Sequence, residues 1–260
     1  KFIQAHKNKP FFLYLAHTFP HVPLFRSKDF AGRSLRGLFG DVIEEIDWST
    51  GRILDTLRKL GLDRRTVVIF TSDNGPWLSY RQQGGSAGLL RGGKGSTFEG
   101  GMREPTLFYW PGRIEPGRTC NHPWAYWDLM PTAAEIAGVD CPETDGTSLV
   151  PLLDGHSPDW AGHEYLYWEH GNAQAVRSEQ RFATRSHPDQ PLEIYHADED
   201  KQQENDVAPD NPQLVQTILG IIEEAHEPTI YFPEPGQPRE EWEAEVEAAG
   251  LDLPENIGNF

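Results

Sequence analysis

The segment Arg65–Gly101 reads RTVVIFTSDNGPWLSYRQQGGSAGLLRGGKGSTFEGG, and the rest of the chain is best interpreted from it. It opens with β-branched and apolar residues, Val67–Phe70, and this run stops abruptly at a Ser-Asp-Asn-Gly turn. Such a run predicts a buried strand of an α/β sheet, and folds of that class place their sites at the carboxyl ends of strands. Functional side chains are therefore expected just beyond residue 70.

Two side chains that carry oxygen atoms, Asp73 and Asn74, follow the predicted strand directly. Carboxylate and amide oxygens are the ligands that hard cations such as Ca²⁺ and Mg²⁺ prefer. Asp-Asn-Gly is also good turn chemistry, because these side chains hydrogen-bond nearby backbone groups. From the residues alone, a metal site and an ordinary turn are equally compatible with this segment.

The glycine-rich loop that follows (residues 88–101) carries a second candidate group, Lys94, placed between two glycines. Glycines let a ligand approach the backbone closely, and a lysine ammonium offers an anion three donors and a point charge. Arg91 is a second cation in the same loop. We expect the preceding Leu89-Leu90 pair to anchor that end of the loop in the core and to leave the Arg91 guanidinium on the rim.

A third candidate region lies upstream, where the apolar run Phe11–Leu15 predicts another buried strand. Two histidines, His17 and His21, follow it within AHTFPHVPLF, where prolines restrict the backbone. A lone histidine is more often structural than functional. The position at the end of a strand is what favours a functional role here.

The pattern in the rest of the first half alternates helices and strands, as an α/β fold requires. Apolar residues spaced by three and four predict an amphipathic helix over Leu38–Leu60, ended by Gly61. A strand is predicted at Thr106–Trp110 and a helix at Asp128–Ala137. The main domain is expected to end at Gly155.

The C-terminal part has a different pattern. Short alternating segments within 163–196 predict a small antiparallel sheet, and the amphipathic run Pro212–Ala225 predicts a helix that covers one face of it. Pro and Glu dominate from residue 227 onward, which favours a wrapped or mobile tail over a surface helix at Glu240–Ala249. The predicted domains are an α/β domain (1–155), a small α+β subdomain (156–228) and an acidic tail (229–260).

The net charge of −17 comes entirely from the C-terminal segment. Residues 1–188 contain 21 acidic and 21 basic side chains, whereas residues 189–260 contain 19 acidic and 2 basic ones. No basic face stands out, which argues against a nucleic-acid partner. The sequence contains no apolar run of about 18 residues, so no membrane span is predicted. Cys120 and Cys141 have no spacing suited to zinc, and the sequence leaves open whether they pair or stay free.

Several ordered motifs together resemble the sulfatases of the alkaline phosphatase superfamily, and the arylsulfatase A-like group in particular. These motifs are TSDNG at 71–75, GLLRGGKGSTFEGGMREP at 88–105, PFFLYLAHTFPHVPLF at 10–25, and, downstream, FYWPGRIEPG, DLMPTAAEIAG and DGTSLVPLLDG. The resemblance implies an α/β sheet flanked by helices, present here in part, and a small antiparallel-sheet-plus-helix subdomain after it. It also implies a sulfuric ester hydrolase that acts on small-molecule or saccharide sulfate esters.

The resemblance assigns roles to four residues. Asp73 and Asn74 are expected to bind Ca²⁺, with Mg²⁺ as the alternative, and His21 and Lys94 to contact the sulfate group as catalytic and substrate-binding residues. His17 falls where the family pattern varies, so at best it is expected to support the direct contacts. The family resemblance suggests a periplasmic, secreted or lysosomal protein, and the oligomeric state is left open.

Sulfatases use as nucleophile a formylglycine that is made from Cys or Ser in a C/S-x-P/A-x-R motif. Neither cysteine of this chain begins such a motif, and SHPDQ at 186–190 has Gln where Arg is required. The family's upstream Asp-Asp pair and Lys-x-His motif are not found either. We therefore expect a C-terminal portion of a sulfatase whose nucleophile lies N-terminal to it. The alternatives are a non-catalytic sulfatase-like fold that binds a cation or an anion, and a phosphoesterase or phosphonate hydrolase of the same superfamily.

Overall fold

The computed structural model describes residues 1–155, 160 and 162–251. In this part of the chain the elements are, in order, α1 (Phe2–His6), α2 (Gly37–Lys59), β1 (Val68–Phe70), α3 (Glu99–Met102), β2 (Leu107–Tyr109), α4 (Leu129–Ala137), α5 (Val150–Asp154), β3 (Leu166–His170), β4 (Ala173–Arg177), β5 (Arg181–Arg185), β6 (Glu193–His196), α6 (Pro212–Ala225) and α7 (Arg239–Ala248). None of these helices is long and apolar enough to cross a membrane.

Helix α2 forms because its apolar residues make one continuous stripe. Val42 and Leu57 on that stripe are each 1% exposed. After the last turn Gly61 takes a left-handed conformation (φ 66°), and the Leu62 amide donates to the Leu57 carbonyl at 2.9 Å. This is the usual way in which a glycine closes a helix. The predicted helix is confirmed.

Strands β1 and β2 form a two-stranded antiparallel sheet in which Ile69 pairs with Phe108. Just beyond the ladder, the hydroxyls of Thr71 and Thr106 are hydrogen-bonded at 2.9 Å. Both predicted strands are therefore confirmed in position. The expected burial is not found, because both strands are at most half-buried and Leu107 is 68% exposed.

The predicted buried strand at Phe11–Leu15 is wrong for the chain as described. The segment has no ladder partner among the described residues, and Phe12 and Tyr14 are 76% and 72% exposed. Phe11 packs against the small core between α1 and the end of α2. An apolar run becomes a buried strand only where neighbouring strands supply hydrogen bonds and a covering layer.

Helix α4 follows Asp128 and ends before Gly138, which is left-handed (φ 67°), as predicted. The Asp128 side chain does not cap the helix. It is fully buried and accepts hydrogen bonds from the amides of Ala125 and Thr147, both at 2.8 Å, and from His163 Nε2 at 2.7 Å. This carboxylate therefore joins the loops on both sides of α4 and has a structural role.

Strands β3–β6 form an antiparallel meander, so alternate residues point to opposite faces. One face packs on α6 in a core that contains Val176, Ala183, Ile194, Ile218 and Ile222. The other face packs on the glycine-rich loop through Ala175, Phe182, Tyr195 and Phe98. The predicted sheet and its covering helix are confirmed, and the loop on the second face explains how the two halves are joined.

The favoured wrapped or mobile tail is wrong for residues 239–248, which form α7, the helix that the sequence offered as the alternative. Trp242 and Val246 are each 2% exposed, and the Trp242 indole N–H donates to the Ile230 carbonyl at 2.9 Å. Two apolar residues spaced by four are enough to bury one side of an otherwise acidic helix. The last part of the predicted tail, 252–260, and the start of the predicted subdomain, 156–159, lie outside the described residues.

Both cysteines are free thiols, which settles the alternative that the sequence left open. Cys120 is exposed and Cys141 is half-buried.

Candidate active site

Two loops meet at the end of β1. The first is the segment 73–77, which leaves the strand, and the second is the glycine-rich loop. The Gly75 amide donates to the Gly101 carbonyl at 3.1 Å, and the Lys94 amide donates to the Pro76 carbonyl at 3.0 Å. The backbone that carries Lys94 is thus bonded to the backbone that follows the strand.

Glycines are required where these loops touch. A β-carbon at Gly75 would lie 1.8 Å from the Gly100 carbonyl oxygen, and one at Gly93 would lie 2.4 Å from the Pro76 carbonyl oxygen. Both distances are far below van der Waals contact with a backbone atom that cannot move away. The glycines therefore serve the contact between the loops, in addition to any ligand.

The structure brings His21 and Lys94 together on one aromatic ring. The Lys94 ammonium lies 5.1 Å from the centre of the Trp77 ring, and the His21 ring centre lies 5.6 Å from it. Trp77 itself is 37% exposed and contacts the Tyr80 ring at 4.6 Å. Two predicted site residues from distant parts of the sequence are thus neighbours of the same side chain, whereas His17 is exposed.

The orientation of His21 is set by its own loop. Its Nδ1 lies 2.7 Å from the Val22 carbonyl oxygen, and Nδ1 must be the donor because a carbonyl only accepts. The peptide bonds that precede Pro20 and Pro23 are cis. Nε2 is therefore the ring nitrogen left for a ligand, and it can donate a hydrogen bond only when the imidazole is protonated.

Asp73 and Asn74 have the donor chemistry of a site for a hard cation. Asp73 is exposed, and the Asn74 amide nitrogen donates to the Gly75 carbonyl at 2.9 Å, which leaves Oδ1 as the atom available to a cation. Among the described residues, no group of three or more His, Cys, Asp or Glu side chains could hold a metal. Two oxygens are fewer than the roughly 6–8 that Ca²⁺ takes, so these two residues would supply only part of a coordination shell.

Glu104 lies near Asp73 and was not predicted from the sequence. Its Oε1 atom is buried and has no hydrogen-bond partner in the described chain. Burial and, second, the negative charge of Asp73 raise the pKa of Glu104 to about 7. The hydrogen bond between Thr71 and Thr106 explains the proximity, because each carboxylate is two residues away from one of these threonines. No local sequence signal marks a pairing of this kind.

Tyr126 lies near Asp73 and Glu104. Its hydroxyl donates to the Ser72 carbonyl at 2.8 Å. The pKa of Tyr126 is raised, chiefly by burial, and the negative charges of Asp73 and Glu104 add to the effect. A concentration of negative charge with an unpaired carboxylate oxygen is favourable for a cation.

Arg91 is not on the rim of the loop as expected. Its guanidinium lies 4.0 Å from the centre of the Phe98 ring and donates to three acceptors: Tyr195 Oη (2.9 Å), Glu193 Oε2 (3.2 Å) and the Gln203 carbonyl (3.3 Å). Of the Leu89-Leu90 pair that was expected to anchor this end of the loop, Leu89 is 65% exposed and Leu90 is half-buried. Arg91 itself anchors this end of the loop, because its long side chain reaches Glu193 and Tyr195 on the small sheet.

Two further contacts fix the far end of the loop on the small sheet. Glu99, 4% exposed, accepts a hydrogen bond from Arg177 Nε at 2.9 Å and one from Arg103 at 2.9 Å. The hydroxyls of Thr97 and Thr184 are 3.1 Å apart. Lys94 therefore lies on a loop that is held at both ends.

Residues 1–139, more than half of the chain, match the family model described as Sulfatase. The chain belongs to the sulfatase family. Residues 93–222 also match a model described as N-sulphoglucosamine sulphohydrolase, C-terminal. The family that the motifs indicated is thereby confirmed.

Individual sulfatases extend the comparison. Arylsulfatase A of Homo sapiens is 49% identical over 151 residues, which are 57% of this chain and 30% of that protein. Steryl-sulfatase of Homo sapiens is 34% identical over 86% of this chain and 45% of that protein. The crystal structure of Ps i-CgsB in complex with k-i-k-neocarrahexaose is 28% identical, with a TM-score of 0.78 over 96% of this chain and 57% of that one. The predicted α/β sulfatase fold is confirmed, and the chain spans about a third to just over half the length of these relatives.

Proposed function

We propose that this chain is part of a sulfuric ester hydrolase and carries the residues that bind the sulfate group. The observation that supports this most is the meeting of His21 and Lys94 on Trp77, in the segment that begins with Asp73 and Asn74. Membership of the sulfatase family supplies the reaction. The substrate proposed is a small-molecule or saccharide sulfate ester, since a similar structure holds k-i-k-neocarrahexaose.

The chemistry requires charge stabilisation at two places. Hydrolysis leaves negative charge on the sulfuryl oxygens and on the oxygen of the departing alcohol, and fixed donors aimed at that charge lower the barrier. Lys94 is the cation for the sulfuryl oxygens. His21, protonated and with Nδ1 bonded to Val22, is the acid that gives a proton from Nε2 to the leaving oxygen.

Asp73 and Asn74 are the proposed ligands of a Ca²⁺ ion, with Mg²⁺ as the alternative. A bound divalent cation supplies positive charge that polarises a sulfuryl oxygen. The proposal is supported by the free Oδ1 of Asn74, the exposed carboxylate of Asp73 and the unpaired oxygen of Glu104 nearby. Further ligands are expected from outside this chain, because two or three side chains do not complete the shell.

The nucleophile is proposed to lie outside this chain as well. The sequence contains no C/S-x-P/A-x-R motif from which a formylglycine is made, and the chain spans 45% of the length of human steryl-sulfatase. The catalytic unit would therefore be a longer protein in which this chain contributes sulfate-binding groups and a preceding part contributes the nucleophile. A periplasmic, secreted or lysosomal location stays a prediction from the family.

Hydrolysis of p-nitrophenyl sulfate and p-nitrophenyl phosphate tests the proposal. We expect the 260-residue chain alone to stay at background with both. Joined to the part encoded upstream of residue 1, it should hydrolyse the sulfate ester in preference to the phosphate ester and lose activity with a chelator. Preference for the phosphate ester would identify a phosphoesterase. Inactivity of a joined protein that contains the C-x-P-x-R motif would indicate a non-catalytic binding fold.

A further inference from the structure

We infer that Trp77 is a positioning residue that fixes Lys94 and His21 for contact with one sulfate group. The inference rests on the proposed function and adds a residue to it. Trp77 makes no proposed contact with the reacting atoms. It acts through the two groups that lie against its indole ring.

The first support is the environment of Lys94. Among the described residues, its ammonium makes neither an ion pair nor a hydrogen bond, and it lies 5.1 Å from the centre of the Trp77 ring. A lysine side chain samples many rotamers, and the cation–π attraction favours those that keep the ammonium over the ring. An ammonium held in place without a partner anion is ready to receive one.

The second support is that the same ring also limits His21. The histidine ring lies 5.6 Å from the Trp77 ring at an angle of 53°. Since both groups contact one rigid indole, the distance between them is limited by its size. Removing the ring would release both groups together, whereas no other contact in the described chain links them.

The third support is that Trp77 is fixed and yet is not a core residue. The Tyr80 amide donates to the Trp77 carbonyl at 3.0 Å, and the two rings contact each other at 4.6 Å. Trp77 is 37% exposed and belongs to none of the hydrophobic clusters of the described chain. Packing alone therefore gives little reason for a tryptophan at this position.

Inorganic sulfate, titrated into the 260-residue chain and followed by NMR of labelled lysine side chains, provides the test. Lys94 is one of seven lysines, so its ε-methylene signal can be assigned from the Lys94→Arg variant. The ring current of Trp77 should displace this signal in the free protein, and sulfate should displace it further. The titration gives a Kd for sulfate at that residue.

Three variants separate positioning from general stability. Trp77→Leu should abolish the ring-current displacement and raise the Kd about tenfold, whereas Trp77→Phe keeps an aromatic face and should stay within about threefold of the native value. Trp48→Leu is the matched control. Trp48 is also exposed, at 53%, with Arg52 at 5.7 Å from its ring, but it lies on α2. That control should bind sulfate as the native chain does.

The outcomes are distinct for the two proposals. Sulfate bound equally by the native chain and by Trp77→Leu would overturn the positioning role and leave the proposed function standing. No displacement of Lys94 by sulfate in the native chain would contradict the sulfate site itself, and the inference with it. An undisplaced ε-methylene signal in the free native chain would also overturn the inference, even if the leucine variant does not fold.

Discussion

Arg91 and Lys94 are separated by two glycines in one loop, but their side chains do different things. The planar guanidinium of Arg91 has several donors and serves three acceptors at once, two on β6 and the Gln203 carbonyl in the segment after it. The compact ammonium of Lys94 lies over one ring and keeps its donors. The two cations are thus divided between holding the loop and binding an anion.

The Arg91→Ala variant should lower the free energy of unfolding by about 1–2 kcal/mol, because it removes three hydrogen bonds and the contact with Phe98. The side chain is 39% exposed, so its ionic part is screened and contributes little. Urea unfolding measures the change. Arg239→Ala is the control, since it removes an exposed pair with Glu243 within one helix and should cost less than about 0.5 kcal/mol. Equal stability of the two variants would contradict the role given to Arg91.

The site residues divide into those that the sequence predicted and those that it did not. Asp73, Asn74 and Lys94 lie in motifs that resemble those of sulfatases, and this resemblance predicted their roles. Trp77 and Glu104 gain their places through contacts between loops and through the pairing of β1 with β2, which no single segment encodes. The sequence predicted the groups that could bind a ligand, and the structure adds Trp77 beside Lys94 and Glu104 near Asp73.

At the scale of elements, the segment after α6 is held by a histidine between two carboxylates. His226 Nδ1 lies 2.9 Å from Glu169 on β3, and its Nε2 bonds to Glu234 in the following segment. Burial lowers the pKa of His226, but the hydrogen bonds to Glu234 and Glu169 outweigh it and raise the pKa above 6.5. Only the protonated ring can donate to both carboxylates at once.

This histidine should make the stability depend on pH. Because the folded-state pKa is raised, the stabilisation is complete below the unfolded-state pKa of about 6.5 and is lost as the pH rises through the higher folded-state pKa. The His226→Gln variant should therefore be less stable than the native chain by about 1 kcal/mol at pH 6 and by clearly less at pH 9. The free energy of unfolding of both proteins, measured at pH 6 and pH 9, gives this difference, and His6→Gln is the control. A stability difference that does not change between the two pH values would contradict the prediction.

Trp242 holds α7 in place, since its side chain is 2% exposed. Replacing a large buried aromatic side chain by alanine lowers the stability by about 3–5 kcal/mol. A short surface helix is not expected to stay packed after such a loss. Trp242→Ala should therefore release α7 to limited proteolysis while the small sheet stays folded. Glu240→Ala, an exposed change on the same helix, is the control. Continued protection of α7 in the tryptophan variant would show that other contacts hold it.

Elements with a long, regular pattern were predicted well, and those that depend on distant partners were not. The stripe on α2 and the alternation in β4–β6 are complete within their own segments. Phe11–Leu15 has the composition of a strand but lacks a partner to pair with in the described chain. In α7 the many glutamates obscured the two apolar residues on which its packing depends.

At the scale of the whole molecule, charge and exposure are unevenly distributed. The acidic residues are concentrated after residue 188, whereas the proposed sulfate site lies in the neutral first part. The side chains of Phe12, Tyr14 and Leu107 are 76%, 72% and 68% exposed. Phe12 and Tyr14 belong to a segment with the composition of a buried strand, so their exposure agrees with the proposal that the catalytic unit is larger than this chain.

The central claim is that Lys94 is the cation for the sulfate group, and the most direct measurement is kcat/KM for p-nitrophenyl sulfate. The protein to use is the chain joined to its proposed nucleophile-bearing part, as native protein, as Lys94→Ala and with Lys59→Ala as a surface control. A donor aimed at transition-state charge contributes roughly 2.7–4 kcal/mol. Lys94→Ala should therefore lower kcat/KM by about 10²–10³-fold, and the control should leave it unchanged. A folded Lys94→Ala protein that hydrolyses the ester as fast as the control would contradict the account.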